Sequence, residues 1–235
     1  MQKYLSITFM SLFIFLGYAQ ASSFKSRALV VVIDLAEQAS KHKILYRLET
    51  NRANKRIIKY LSKSYSKIII LDKKEATKNN FLNSLKELAL DKNIETIDSI
   101  VYLHGKNDKY TTGPSICFVQ DLLCTNIYSL AKQILAIPNL QHKLRALYSD
   151  ACWGEQHLNG WLESGFKVAA GSRGVDSNHS TDLKRFMKKW SKGASFSEAI
   201  DHANNTFFTK ISDRLISDAD STKEILGDDS IVIGN

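Results

Sequence analysis

The chain has 235 residues, 44% hydrophobic and 24% charged, which is enough apolar material for one packed core and too much for a disordered or low-complexity chain. Its formal charge is +8, but the basic residues are scattered and none cluster with aromatic residues, which argues against a nucleic-acid-binding module. With two prolines and no Gly/Ser-rich stretch, no linker divides it.

The chain opens with Met1-Gln2-Lys3, a short basic start, followed by the uncharged apolar run from Tyr4 to Tyr18 and the small residues Ala19 and Ala21. This order predicts a signal peptide over residues 1–21, cleaved after Ala21, and an exported domain over residues 22–235. The apolar run is short beside the roughly 20 residues that a spanning helix needs, so no stable membrane insertion is expected after cleavage.

Downstream, Ala28 to Asp34 is a continuous run rich in valine, as expected of a strand covered on both faces. Asn51 to Tyr65 places Ile57, Ile58 and Leu61 at helical spacing, and Lys67 to Leu71 forms a second buried strand. Asn79 to Leu90 is a helix with Phe81, Leu82, Leu85 and Leu88 on one side. Ile100 to His104 is a third strand. Residues 106–128 interrupt the rhythm, with Ile116 to Val119 and Leu122 to Tyr128 expected as a small hairpin. A fourth strand lies within Leu144 to Cys152 and a fifth at Lys167 to Ala170. Two helices follow, Ser180 to Trp190 and Ser197 to Phe208. Alternation of strands and helices implies an α/β fold, a three-layer α/β/α sandwich with a mostly parallel central sheet.

In such sheets ligands sit beyond the carboxyl ends of the strands. Two strand ends carry reactive side chains here: the third runs into Leu103-His104-Gly105, and the fourth into Asp150-Ala151-Cys152-Trp153-Gly154, 48 residues later. A thiol and an imidazole brought to one sheet edge can act as nucleophile and general base. Gly105 and Cys152 can also offer backbone N–H groups to a developing oxyanion. The chain has three cysteines, an odd number for an exported protein. Cys117 and Cys124 are candidates for a disulfide, with two packed thiols as the alternative, and Cys152 is left over. The cysteines lack zinc-site spacing, and no phosphate loop or dinucleotide fingerprint occurs, so neither metal nor cofactor is expected. The remaining histidines, His42, His142, His157, His179 and His202, read as surface residues.

A strand ending in His-Gly and a later one ending in Ala-Cys-x-Gly resemble the caspase–hemoglobinase clan of cysteine peptidases, above all its CHAT, metacaspase and gingipain-type bacterial members. Ala169 to Asp176, the segment from Lys188 to Ala203 and Gly227-Asp228-Asp229 are similar to later segments of those relatives, in the same order. The resemblance implies a Cys152–His104 dyad, an oxyanion role for Gly105, and a protein or peptide substrate. Clan relatives use the position two before the nucleophile to line the pocket for the residue ahead of the cut. Asp150 stands there, with Asp176 as a candidate second acid, so the resemblance implies a preference for Arg or Lys. Two further readings share the fold: a binding module that has lost turnover, and an envelope transpeptidase using the same dyad. Leu103 and Trp153 depart from the usual clan pattern on either side of the dyad.

Overall fold

The computed structural model describes residues 26–234 except 38–41, 108–112, 122 and 178. The expected signal peptide over 1–21 lies outside the described residues. Among those described, an eight-stranded sheet is organised as β2-β1-β3-β6-β7-β8, with β4 (Ser115–Cys117) and β5 (Thr125–Asn126) attached to β3 as a short hairpin. The main strands are β1 (Arg27–Asp34), β2 (Lys67–Asp72), β3 (Thr96–Lys106), β6 (Leu144–Ser149), β7 (Val168–Ser172) and β8 (Lys223–Gly227). All pair in parallel except β8, which closes the edge antiparallel to β7.

Alternation along each strand sorts the core into two layers. Val30, Val32, Val101, Leu103 and Leu147 face α2 (Lys78–Leu90), α3 (Ile127–Leu135) and α4 (Leu158–Glu163). Leu29, Val31, Ile33, Ile100, Tyr102 and Tyr148 face α1 (Lys43–Leu61), α5 (His179–Trp190) and α6 (Phe196–Asn204). A last helix, α7 (Phe207–Leu215), precedes β8. The result is the three-layer sandwich that the strand–helix rhythm implied.

Several elements differ from the sequence expectation, each for a local reason. The second arm of the expected hairpin shrinks to β5 (Thr125–Asn126), because the Asn126 side chain accepts the backbone N–H groups of Tyr128 (3.0 Å) and Ser129 (3.2 Å) and starts α3 there. The last expected helix breaks at Asn204 into α6 and α7. β8 went unread, because a strand of Lys, Glu, Ile, Leu and Gly has neither an alternating nor an apolar signature. Helix α1 begins eight residues earlier than expected and carries Ile44, Leu45 and Leu48 exposed.

Two buried polar devices lock the sheet. The Asp98 carboxylate on β3 accepts from Arg145 Nε (3.0 Å) and Nη2 (2.5 Å), from the Tyr65 hydroxyl (2.7 Å) and from the Ala146 N–H (3.1 Å). Removing one partner of a buried pair of this kind costs about 3–5 kcal/mol, so the pair fixes how β3 and β6 lie together. Lys143, just before β6, donates its ammonium to the carbonyls of Leu88, Ala89 and Asp91 at 2.9–3.1 Å, satisfying the carboxyl end of α2.

Candidate catalytic dyad

Strand order reverses between β1 and β3: the chain steps one way from β1 to β2 and the other way from β1 to β3. The carboxyl ends of β1 and β3 therefore splay into a crevice, the place where ligands bind open α/β sheets. His104 lies near the carboxyl end of β3 at that crevice, and β6, bearing Cys152 just past its end, is the next strand over. The parallel register sets Val101 beside Ser149, and the Asp150 N–H continues the ladder to the Val101 carbonyl at 2.8 Å. His104 and Cys152 thus each lie three residues past the last β3–β6 pair.

The imidazole has a defined orientation. Its Nε2 lies 2.9 Å from the Leu35 carbonyl oxygen, at the end of β1. A carbonyl oxygen can only accept, so Nε2 carries the hydrogen and Nδ1 is the basic nitrogen of the neutral ring. Tyr46 of α1 stands edge-on to the same ring, with centroids 5.6 Å apart. Tyr46 is also close enough to Cys152 for the two to influence each other's ionisation. Histidine, tyrosine and thiol therefore form one cluster on the α1 side of the sheet.

Gly105 shows how tightly the two strand ends approach. A side chain there would collide with the Cys152 carbonyl oxygen and come within 3.1 Å of Ala151 Cβ. The glycine after the histidine is required by this contact. The glycine after Trp153 has a similar explanation: a Cβ on Gly154 would sit 2.8 Å from Gly171 Cα and 2.8 Å from the Ser172 nitrogen. The chain turns immediately after Cys152, with Trp153 in the left-handed region (φ 58°) and its N–H donating to the Gly174 carbonyl at 2.8 Å. That turn presents Cys152 at the edge of the sheet, partly accessible.

Burial, then the nearby Asp176 charge, push the pKa of the Cys152 thiol up from 9.0 to about 11, against hydrogen bonding from the Asp176 backbone and the Lys223 charge, which lower it. An attack at neutral pH then needs a base to remove the proton during the attack itself.

Asp150 and Asp176 lie at the same edge, but neither opens to solvent. Both, together with Ser172 and Lys223, are buried. The Lys223 ammonium lies 2.7 Å from Asp150 Oδ1, pairs with Asp176 Oδ2, and donates to Ser172 Oγ at 2.8 Å. Ser172 in turn donates to Asp176 at 2.8 Å. Lys223 pairs with Ser172 across the β7–β8 ladder, so the unread strand β8 brings it there. Asp150, expected at the base of a pocket for a basic side chain, is buried here with an internal cation beside its carboxylate. Lys223 was missed because a lone lysine among charged neighbours reads as surface.

Cys117 and Cys124 are joined in a disulfide. Cys117 pairs with His104 across the β3–β4 ladder, so the bridge closes the hairpin laid directly against the histidine strand. His157, expected on the surface, is fully buried instead, with its ring against Gly105. His42 and His142 are exposed and His202 is half-buried. Among the described residues no group of three or more His, Cys, Asp or Glu side chains could hold a metal ion, and no helix is long and apolar enough to cross a membrane.

No protein-family model and no curated protein matches the sequence. Solved structures do match the fold. The Arg-specific cysteine proteinase gingipain R aligns over 91% of this chain with a TM-score of 0.54 and 11% identity. Caspase-1 from Spodoptera frugiperda aligns over 87% of each chain with a TM-score of 0.54 and 10% identity. The Drosophila initiator caspase Dronc aligns over 91% of this chain and 82% of its own, with a TM-score of 0.55 and 9% identity. This chain spans about half the length of the gingipain chain, 48%. The fold is that of the caspase-like cysteine peptidases.

Proposed function

We propose that the chain is an exported cysteine endopeptidase acting on protein or peptide substrates through a Cys152–His104 dyad. The observation that carries this reading is the convergence at one sheet edge of a partly accessible thiol and an imidazole whose Nε2 is tied to the Leu35 carbonyl. That tie leaves Nδ1 as the base. Sulfur attacks the substrate carbonyl carbon while His104 takes the thiol proton. Backbone N–H groups of Gly105 and Cys152 hold the oxyanion. The C–N bond then breaks, the amine leaves with the proton from His104, and water hydrolyses the resulting thioester. Burial raises the thiol pKa to about 11, which favours proton removal by His104 during the attack.

Export rests on the signal-like start over residues 1–21 and is supported by the Cys117–Cys124 bridge, which persists in oxidising compartments. The preference for Arg or Lys expected from Asp150 is not retained in its simple form, because Lys223 already pairs with that carboxylate.

The test is labelling of the purified protein with acyloxymethylketone probes that differ in the residue before the reactive carbonyl: Arg, Lys, Ala, Gln and Asp. Labelling of the parent and not of Cys152→Ala is expected, with His104→Ala slower by roughly 10²–10⁴-fold. No Cys152-dependent labelling by any probe would overturn the reading in favour of a binding module without turnover. Added amine nucleophiles separate hydrolysis from transfer, because a transpeptidase would yield the amide by mass.

A further inference from the structure

The residue whose carbonyl is attacked must place its side chain beside the attacking sulfur, so the groups adjoining Cys152 govern which side chain is accepted. Three carboxylates lie in this region, Asp150, Asp176 and Asp182, all buried. Lys223 and Asp176 are near enough to Cys152 to act on its ionisation, and the Asp176 backbone hydrogen-bonds the thiol, so this cluster adjoins the nucleophile. An acidic cluster beside a peptidase thiol would ordinarily select a basic side chain. Here the cation comes from within the fold. Lys223, with no exposed side-chain surface, binds Asp150, Asp176 and Ser172 at once and lies over the Tyr148 ring, 5.6 Å from its centroid.

From this packing we infer that Lys223 is the specificity-determining residue of the site: its ammonium neutralises the acids beside Cys152, so the enzyme accepts small or uncharged side chains ahead of the scissile bond and rejects Arg and Lys. The inference rests on the peptidase reading above. A guanidinium arriving from a substrate would have to displace an ammonium already desolvated and paired on several sides, which exchanges one buried ion pair for another at the cost of stripping a second cation of water. Ionisation within the cluster agrees. Burial alone would lower the pKa of Lys223, but Asp150, Asp176 and Asp182 together outweigh it and hold the ammonium charged, while burial pushes the Asp150 carboxyl well up.

The experiment compares the probe series on the parent, Lys223→Ala and Cys152→Ala. The parent should be labelled by the Ala and Gln probes at least roughly tenfold faster than by the Arg probe, the discrimination expected of one buried charge-assisted contact. Lys223→Ala leaves the acids without their cation and should reverse that order. Faster labelling of the parent by Arg or Lys probes overturns the inference while leaving the peptidase reading intact. Should no probe label the parent, the same question is put without chemistry, through benzamidine binding to Cys152→Ala and to Cys152→Ala/Lys223→Ala by calorimetry. Binding only to the double variant supports the assignment, and binding to Cys152→Ala, or to neither, overturns it. Should Lys223→Ala fail to fold, the parent's probe order and the benzamidine result on Cys152→Ala still decide the matter: Arg preference or benzamidine binding overturns the inference, and the opposite outcomes uphold it.

Discussion

His104 Nε2 lies 2.9 Å from the carbonyl oxygen of Leu35, a residue 69 positions earlier in the chain and one strand away. The carbonyl is aimed by the turn that follows β1. There the buried Asp34 carboxylate accepts the Glu37 N–H at 2.8 Å and bonds the Ala36 backbone as well. Asp34 never needs to touch substrate. In the proposed dyad it would act by holding the carbonyl that pairs with His104 Nε2.

Asp34→Ala should therefore lower kcat by about tenfold and leave KM nearly unchanged, since one orienting hydrogen bond to the base is worth about 1–1.5 kcal/mol. Asp34→Asn keeps an acceptor oxygen and should recover most of the rate. Steady-state kinetics on a peptide substrate check this, and an equal loss in both variants would point to a general packing defect.

Gly105→Ala should abolish measurable turnover and lower stability together. The added methyl group meets the Cys152 carbonyl oxygen and crowds the buried His157 ring, so the two strand ends must separate. Overpacking of this kind costs about 1–3 kcal/mol. Urea denaturation beside a rate assay tests both effects, and a fully active, fully stable variant would contradict the close approach described here.

The pH dependence of thiol alkylation separates the dyad's two members. In His104→Ala, reaction of Cys152 with iodoacetamide should rise about tenfold per pH unit and level off only near the thiol pKa of about 11. The sign follows for stability. The folded pKa is raised, so the neutral thiol is the favoured form, and stability is lost as pH climbs through the window from 9.0 to about 11. An alkylation plateau near pH 7 would show an already ionised thiolate.

The disulfide can be removed without touching Cys152. Cys117→Ser/Cys124→Ser frees a loop of seven-residue separation, for which the chain-entropy relation gives about 2–2.5 kcal/mol. That corresponds to a Tm lower by roughly 5–10 °C for a domain of this size. Because Cys117 pairs with His104 across the ladder, activity at a fixed temperature should fall as well. Scanning calorimetry and a rate assay decide it. An unchanged Tm would mean that the hairpin is held by β4 and α3 alone.

Much of the fold was legible because it depends on local pattern. The valine run of β1, the Lys67–Asp72 strand and the Phe81, Leu85 and Leu88 stripe of α2 each follow from burial on one face or two. The candidate dyad was legible because each member lies at the carboxyl end of an apolar run with a glycine within two residues, and parallel strands deliver those ends to one edge. What escaped were elements whose partners lie far along the chain. β8 is a strand because β7 offers an unpaired edge, and α1 extends to Lys43 although its first turns are exposed. His157 gave no sequence sign of burial, since its position is set by a contact with Gly105.

The sequence by itself determined most of the order of strands and helices, two candidate site residues at the carboxyl edge of the sheet, and the cysteine left over from a pair. Tertiary structure alone decided the electrostatics around them. Which nitrogen of His104 is basic depends on a carbonyl from another strand, and whether Asp150 is an open acid depends on Lys223 arriving antiparallel from the far edge. Charge in a buried site is fixed by neighbours within a few ångströms in space, and those neighbours stand 69 and 73 residues away along the chain.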